Sequence, residues 1–326
     1  MFDITAAIYT DADKAREHLE ALHWPNGPVC PHCGNIDPAR ITKLQGKSTR
    51  PGVYKCKECR EPFTVTVGTV FERSKIPLNK WVLASHLMAA SKKGMSAHQI
   101  HRMLGVTYKT AWFMCHRIRE AMKEDVSSSG PMGGSGQIVE ADETYFGKTD
   151  IQPTETTSGR PFTKGGKHGP SGKRAVVGLV ERGGKSRMFH VEKANAATVR
   201  DILVRNVDRR STLHTDESRI YTGTGKEFGA HEFTKHSGGE YARYEDGRVI
   251  HSNTVESAFG VFKRGMRGIY QHCGEAHLHR YLAEFDFRFN RRTALKVSDN
   301  ERHNQLLAMI EGKRLTYRRL DEARIA

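Results

Sequence analysis

The chain has 326 residues, 37% of them hydrophobic, which suits two or more domains with cores of their own. No apolar run approaches the ~18 residues of a membrane span, and the start MFDITAAIYTDADK lacks the basic-then-apolar build of a signal peptide. A soluble, cytoplasmic and nucleoid-associated protein is therefore expected, because the net charge of +15 favours a polyanion whose counterions are released on binding.

Six cysteines stand at 30, 33, 56, 59, 115 and 273. Four fall in two C-x-x-C pairs, VCPHCGN and YKCKECREPFTV, which supply four thiolates for a tetrahedral Zn²⁺ held by Cys30, Cys33, Cys56 and Cys59. Gly34 allows the tight turn of the first knuckle. His32, between two ligands, is read as solvent-facing. The alternation in REPFTVTVGTVF predicts a strand, as in a zinc ribbon. A redox C-x-x-C needs one pair in a βαβ setting, which is missing. An N-terminal helix and this ribbon make the first expected domain, residues 1–72.

Residues 73–126 read as helices. Ile100, Met103 and Leu104 form an apolar stripe, Gly105-Val106 turns, and Thr107 can cap a helix carrying Ala111, Trp112, Met114, Cys115 and Ile118. This is the pattern of a helix-turn-helix. Tyr108, Lys109 and Thr110 are expected at the DNA major groove, with Arg117 and Arg119 reaching phosphates. An ordinary helical hairpin with Trp112 and Phe113 in its core is the plain alternative. Cys115 is expected to be a small buried apolar residue.

Residues 127–136, within SSSGPMGGSGQ, read as a flexible linker. The next domain, 137–295, begins with a strand through Val139 to Tyr145. A polar stretch, Lys148 to Arg174, reads as a mobile loop. Two strands, Ala175 to Glu181 and Ser186 to Glu192, then form a hairpin at Gly183-Gly184. A helix follows with Val199, Ile202, Leu203 and Val207 on one side. STLHTD is a strand ending at Asp216, HEFTKHS is a candidate fifth strand, and NTVESAFGVFKRGM is a helix with Asn253 as candidate N-cap. Residues 296–326 are expected as a basic C-terminal tail.

The order strand, strand, strand, helix, strand, loop, strand, helix is that of an α/β, ribonuclease-H-like mixed sheet with flanking helices. In that fold Asp142 lies beside Asp216, and Glu256 is laid across both. Three such carboxylates make a site for two Mg²⁺ (or Mn²⁺) ions in phosphodiester chemistry. Each acid has a plain alternative. Asp142 competes with Glu140 and Glu143, Asp216 is also a turn former beside Glu217, and Glu256 also suits the positive end of its helix. Lys263 lies seven residues after Glu256, on the same helical face, where it can hold a phosphate. With Arg264 it also belongs to a basic face suited to DNA backbone.

The stretches HWPNGPVCPHCGN, YKCKECREPFTVTVGTVFE, VEADETYFGK, LHTDES, HSNTVESAFGVFKRGMRGIYQHC and FDFRFNRR occur in order from about residue 15 to 292. Together they resemble the DDE transposases of bacterial insertion sequences, in the subgroup with an N-terminal zinc ribbon (the ISXO2-like transposase domain). The resemblance implies that Asp142, Asp216 and Glu256 are the catalytic triad, Lys263 the lysine that follows it, and His251 and Asn253 supporting neighbours. It implies cleavage of double-stranded DNA at terminal inverted repeats and joining to target DNA, by a homodimer or higher oligomer. A DNA-binding regulator without catalysis, or a nuclease of the same fold without joining activity, are the alternatives.

Overall fold

The computed structural model describes residues 3–125, 129–152, 154–155, 159–161, 170–245 and 247–316. They fall into two compact units, Met1–Lys123 with Lys296–Ala326, and Glu124–Leu295. Among the described residues no helix is long and apolar enough to cross a membrane.

In the first unit, α1 (Ala7–Thr10) leads into α2 (Ala12–His23), whose N-cap Asp11 accepts from the backbone N–H groups of Asp13 and Lys14. A three-stranded antiparallel sheet follows, β1 (Ile41–Lys43), β2 (Tyr54–Cys56) and β3 (Pro62–Phe63). The strand expected over REPFTVTVGTVF is therefore only two residues long. Beyond Phe63 the chain folds into successive turns, closed by Val67 N–H to Thr64 O, Thr69 N–H to Thr66 O and Glu72 N–H to Thr69 O. Val65, Val70 and Phe71 are buried from those turns, so the apolar residues serve the core and not a sheet.

Three helices complete the unit's middle: α3 (Leu78–Ala90), α4 (Ala97–Leu104) and α5 (Tyr108–Met122). Residues 296–326 are not simply a tail. Asp299–Ala308 forms a helix packed on α3, with Leu306, Leu307 and Ile310 buried, while 317–326 lie outside the described residues. The charge-mixed sequence concealed one apolar stripe.

The second unit is built on a five-stranded sheet. Its strands are β4 (Ile138–Phe146), β5 (Arg174–Glu181), β6 (Ser186–Val191), β7 (Thr212–Asp216) and β8 (Ala230–Thr234), in the order β6-β5-β4-β7-β8. β4–β5–β6 is antiparallel, while β7 and β8 run parallel to β4. This is the expected ribonuclease-H-like arrangement. Three details were not foreseen: a short helix α7 (Arg219–Gly225) where a loop was expected, an added hairpin, β9 (Arg243–Glu245) with β10 (Arg248–Ile250), and a helix over Leu278–Asn290.

Strand alternation sorts the side chains. Val139, Ala141, Val177 and Leu179 pack with Val199 and Leu203 of α6 (Ala196–Asn206) and Tyr221 of α7. Val176 and Val180 face the other way, onto α8 (Asn253–Gly265) and α9 (Leu278–Asn290). On α9, Asp286 accepts from Ser186 Oγ and Met188 N–H, and the Asn290 side chain bonds both N–H and C=O of Ser186. The FDFRFNRR stretch thereby covers the free edge of β6.

The expected linker is packed where it is described. Met132 is buried and bridges Val207, its N–H donating to Asn206 O, and Gly134 N–H donates to Ser211 Oγ. Residues 127 and 128 lie outside the described residues, as does most of the stretch expected as a mobile loop after Lys148. Of that stretch, Arg174 opens β5 and its guanidinium pairs with Asp150.

Gly178, in the middle of β5, sets how near α8 comes. A Cβ there would meet the Phe259 ring at 2.6 Å and Val255 at 3.2 Å. Gly178→Ala is expected to cost about 1–3 kcal/mol of stability through overpacking, read as a lower urea midpoint, and to slow any reaction that uses Glu256.

Candidate active site and metal centre

The register of the central strands brings two acids together. β4 and β7 pair in parallel with Glu140 opposite His214. Two residues further along each strand, on the same face, come Asp142 and Asp216. That face is the one covered by α8, whose first turn carries Glu256.

Each acid has a distinct surrounding. Asp142 accepts from the backbone N–H of Glu143. Burial first, and then the charges of Glu143, Asp216 and Glu256, push its carboxyl up to about 8. Asp216 accepts from Ser218 N–H at 3.0 Å, the turn-forming bond, and is itself half-buried. Glu256 is 39% exposed and receives Ser252 Oγ–H at 3.1 Å, with His236 Nε2 3.4 Å away. Ser252, not Asn253, is the N-cap residue of α8, and its hydroxyl serves Glu256 instead of a backbone N–H.

The competing acids are engaged elsewhere. Glu140 is fully buried against Arg182 and the start of α8. Glu143 points to the opposite face and accepts from Tyr221 Oη–H at 2.8 Å. Glu217 is exposed and accepts from Ser237 N–H. Lys263 is half-buried in the field of Asp142, where burial and the neighbouring Arg267 and Lys173 hold its ammonium below its ordinary value. Both are exposed; Arg267 belongs to the basic stretch FKRGMR, whereas Lys173 was missed in the sequence because it is ninety residues from its neighbour Lys263.

The donor set is all oxygen, and carboxylates that repel one another across a partly enclosed site suit a cation, so the residues fit Mg²⁺ or Mn²⁺. The carboxylates are not tightly gathered, however. Among the described residues, only the four cysteines bring three or more ligand atoms within 4.8 Å of one another.

In that cysteine set, Cys30 and Cys59 sulfurs lie 3.6 Å apart and those of Cys33 and Cys56 3.7 Å. Zn–S bonds of about 2.3 Å in a tetrahedron give sulfur separations of roughly 3.8 Å, so the set fits zinc. Gly34 adopts φ +74° and its N–H returns to Cys30 O, closing the knuckle as expected. His32 is exposed. Around the thiolates, Trp24, Ile41, Tyr54 and Phe63 form a small apolar core.

Residues 133–290 match the ISXO2-like transposase domain, and residues 10–61 match the transposase zinc-ribbon domain. Residues 133–290 are thus similar to an ISXO2-like transposase domain. An uncharacterised protein in transposable element ISH50 of Halobacterium salinarum is 29% identical over 287 residues, 84% of this chain and 90% of that one. Two structures of Mos1 also match. The strand transfer complex is 14% identical over 69% of this chain and 80% of that chain, with a TM-score of 0.21. The paired end complex with Mg is 12% identical over 94% of each, with a TM-score of 0.25. At such scores the superpositions carry no weight for this chain's arrangement.

In the first unit, α4 and α5 meet at Gly105, which takes the left-handed conformation at φ 59°, and Thr107 Oγ1 accepts from Thr110 N–H as the cap of α5. Tyr108 and Lys109 are exposed, Tyr108 stacked on His98 at 4.2 Å, and Thr110 is half-buried against Thr107. Met103 is 44% exposed, so the stripe on α4 is carried by Ile100 and Leu104. Cys115 is fully buried, as expected.

Two assignments on α5 are corrected. Arg117 is 7% exposed, donates to Glu72 O at 2.6 Å and lies over the rings of Trp81 and Phe113. Arg119 is 2% exposed. Neither guanidinium is presented to a phosphate. The sequence shows a positive charge on a helix but not that its turn faces inward.

Proposed function

We propose that this chain binds the terminal inverted repeats of an insertion sequence as a homodimer or higher oligomer, and that it cleaves and joins DNA strands at Asp142, Asp216 and Glu256. The observation that carries this reading is the matched register of Asp142 and Asp216 under the helix that bears Glu256, within a transposase-family domain. These three carboxylates would hold divalent ions. When bound, such ions lower the pKa of a water or 3′-hydroxyl and stabilise the leaving oxygen. Lys263, in the field of Asp142, and its neighbours Lys173 and Arg267 offer three cations for the phosphates of the strand being cut, and Arg264 extends that face. The N-terminal turn of α5, with Tyr108, Lys109 and Thr110, enters a major groove.

The direct test is cleavage and strand transfer on DNA carrying the element's ends, with Mg²⁺ or Mn²⁺. Asp216→Asn is expected to stop both steps, whereas Glu217→Gln keeps near-normal rates, since Glu217 is turned to Ser237. Normal cutting by Asp216→Asn would refute the assignment. Pre-cut ends that are never joined would leave a nuclease.

Binding separates the arginines from the recognition turn. Lys109→Ala is expected to weaken binding to end DNA and to lower the salt slope by about one. Arg117→Ala is expected instead to lower the thermal midpoint of its unit and leave the slope unchanged, because its bonds are internal. Filter binding across a salt series, beside a melting curve, reads both.

A further inference from the structure

Glu140 precedes Asp142 by two residues on β4 and shares its face, yet its carboxylate is fully buried and every acceptor position is taken. Oε1 accepts from Arg182 Nε (3.1 Å) and Nη2 (2.9 Å) and from Thr254 Oγ1 (2.9 Å). Oε2 accepts from the backbone N–H of Thr254 (2.8 Å) and of Val255 (3.1 Å). Those two N–H groups belong to the first turn of α8, where a helix has no internal acceptors and an anion is favoured. Glu256 is the next residue.

Arg182 extends the tie. Its Nη1 donates to Val249 O at 2.8 Å and its Nη2 to His251 O at 3.1 Å, so one guanidinium joins the β5–β6 turn, the end of β10 and the approach to α8. His251 Nδ1 lies 3.3 Å from Glu140 but accepts from Asn253 N–H, and burial, with the adjacent Arg182, disfavours its charged form against the pull of Glu140. The countercharge of Glu140 is therefore Arg182. The strand that carries one triad acid also fixes the helix that carries another.

We infer that Glu140 is a positioning residue for the proposed site: it takes no ion itself, and it locks the first turn of α8 to β4 so that Glu256 reaches ions held by Asp142 and Asp216. This rests on the reading of the carboxylates given above. Arg182 is the clamp that keeps Glu140 aimed at α8.

The test uses the full chain with E140A and E140Q, the latter keeping one acceptor oxygen. Three quantities are read: amide hydrogen exchange at residues 254–256, Mn²⁺ binding by calorimetry, and cleavage of end DNA against Mn²⁺ concentration. E140A is expected to speed exchange at Thr254 and Val255 while β5 stays protected, and to weaken Mn²⁺ binding and raise the Mn²⁺ needed for cleavage by roughly ten- to a hundredfold. E140Q is expected to fall between E140A and the unaltered chain, and it carries the test alone should E140A fail to fold.

Unchanged Mn²⁺ affinity and requirement in a variant with faster exchange would reduce Glu140 to a structural cap and overturn the inference. Loss of a whole Mn²⁺ equivalent in E140Q, as in D142N, would make Glu140 a ligand and overturn it too. If the unaltered chain binds no Mn²⁺ and cuts nothing, the reading of the active site fails first, and exchange at Thr254 then reports only a helix anchor.

Discussion

Asp142→Asn is expected to abolish cleavage, by on the order of a thousandfold or more, while making the metal-free domain more stable at pH 8. The two effects share a cause. Asp142 is half-buried in the field of Glu143, Asp216 and Glu256, with Lys263 as the nearby cation, and burial first, then those charges, hold its carboxyl at about 8 instead of 3.8. Between those values the folded state holds a proton that the unfolded chain has lost, so stability falls as pH rises from about 4 to about 8. Asparagine presents nothing to ionise, and this contribution to the slope disappears. Urea midpoints at pH 5 and pH 8 in the presence of a chelator read the difference. A divalent ion must displace the same proton, so its affinity for the unaltered protein is expected to rise with pH through that window, with proton release measurable by calorimetry in two buffers.

Removal of zinc is expected to unfold the N-terminal module and leave the five-stranded sheet standing. The module's core is Trp24, Ile41, Tyr54 and Phe63 around the sulfurs, too few residues to hold three short strands without the metal. Structural zinc sites of this type supply roughly 10–16 kcal/mol of apparent binding energy, most of which becomes folding energy. Cys56→Ser or a strong chelator should expose residues 24–67 to protease and abolish the near-ultraviolet signal of Trp24. Cys273→Ala, at a buried site in the other unit, should leave the zinc content unchanged. Retention of a protease-resistant ribbon after zinc loss would contradict this.

The parts legible in the sequence were those fixed by periodicity and order. Strands β4 to β8 followed from alternation and from Gly183-Gly184, α6 from the apolar side of Val199, Ile202, Leu203 and Val207, and α5 from its cap Thr107. The register of Asp142 with Asp216 then followed from topology. Choices among adjacent acids were not legible, because Glu140, Asp142 and Glu143 differ only in what faces them. Glu140 shares a face with Asp142, so alternation alone could not separate an anchor from a ligand. Burial of Arg117 and Arg119 was hidden likewise, since a guanidinium over Trp81 is as compatible with helical spacing as one in water. Gly178 did leave a signal. A glycine inside AVVGLV marks a place where something packs close to the backbone, and here that is the helix of Glu256.

The contacts of Asp286 and Asn290 with Ser186 and Met188 make the sheet finite on one side. An uncovered outer strand is a template on which any extended peptide can add itself, including a strand from another copy or from a partly unfolded chain. With the rim of β6 occupied by side chains, growth of the sheet by strand addition has only β8 left to start from. Copies of this protein brought close together can crowd side by β6 side without fusing their sheets into one.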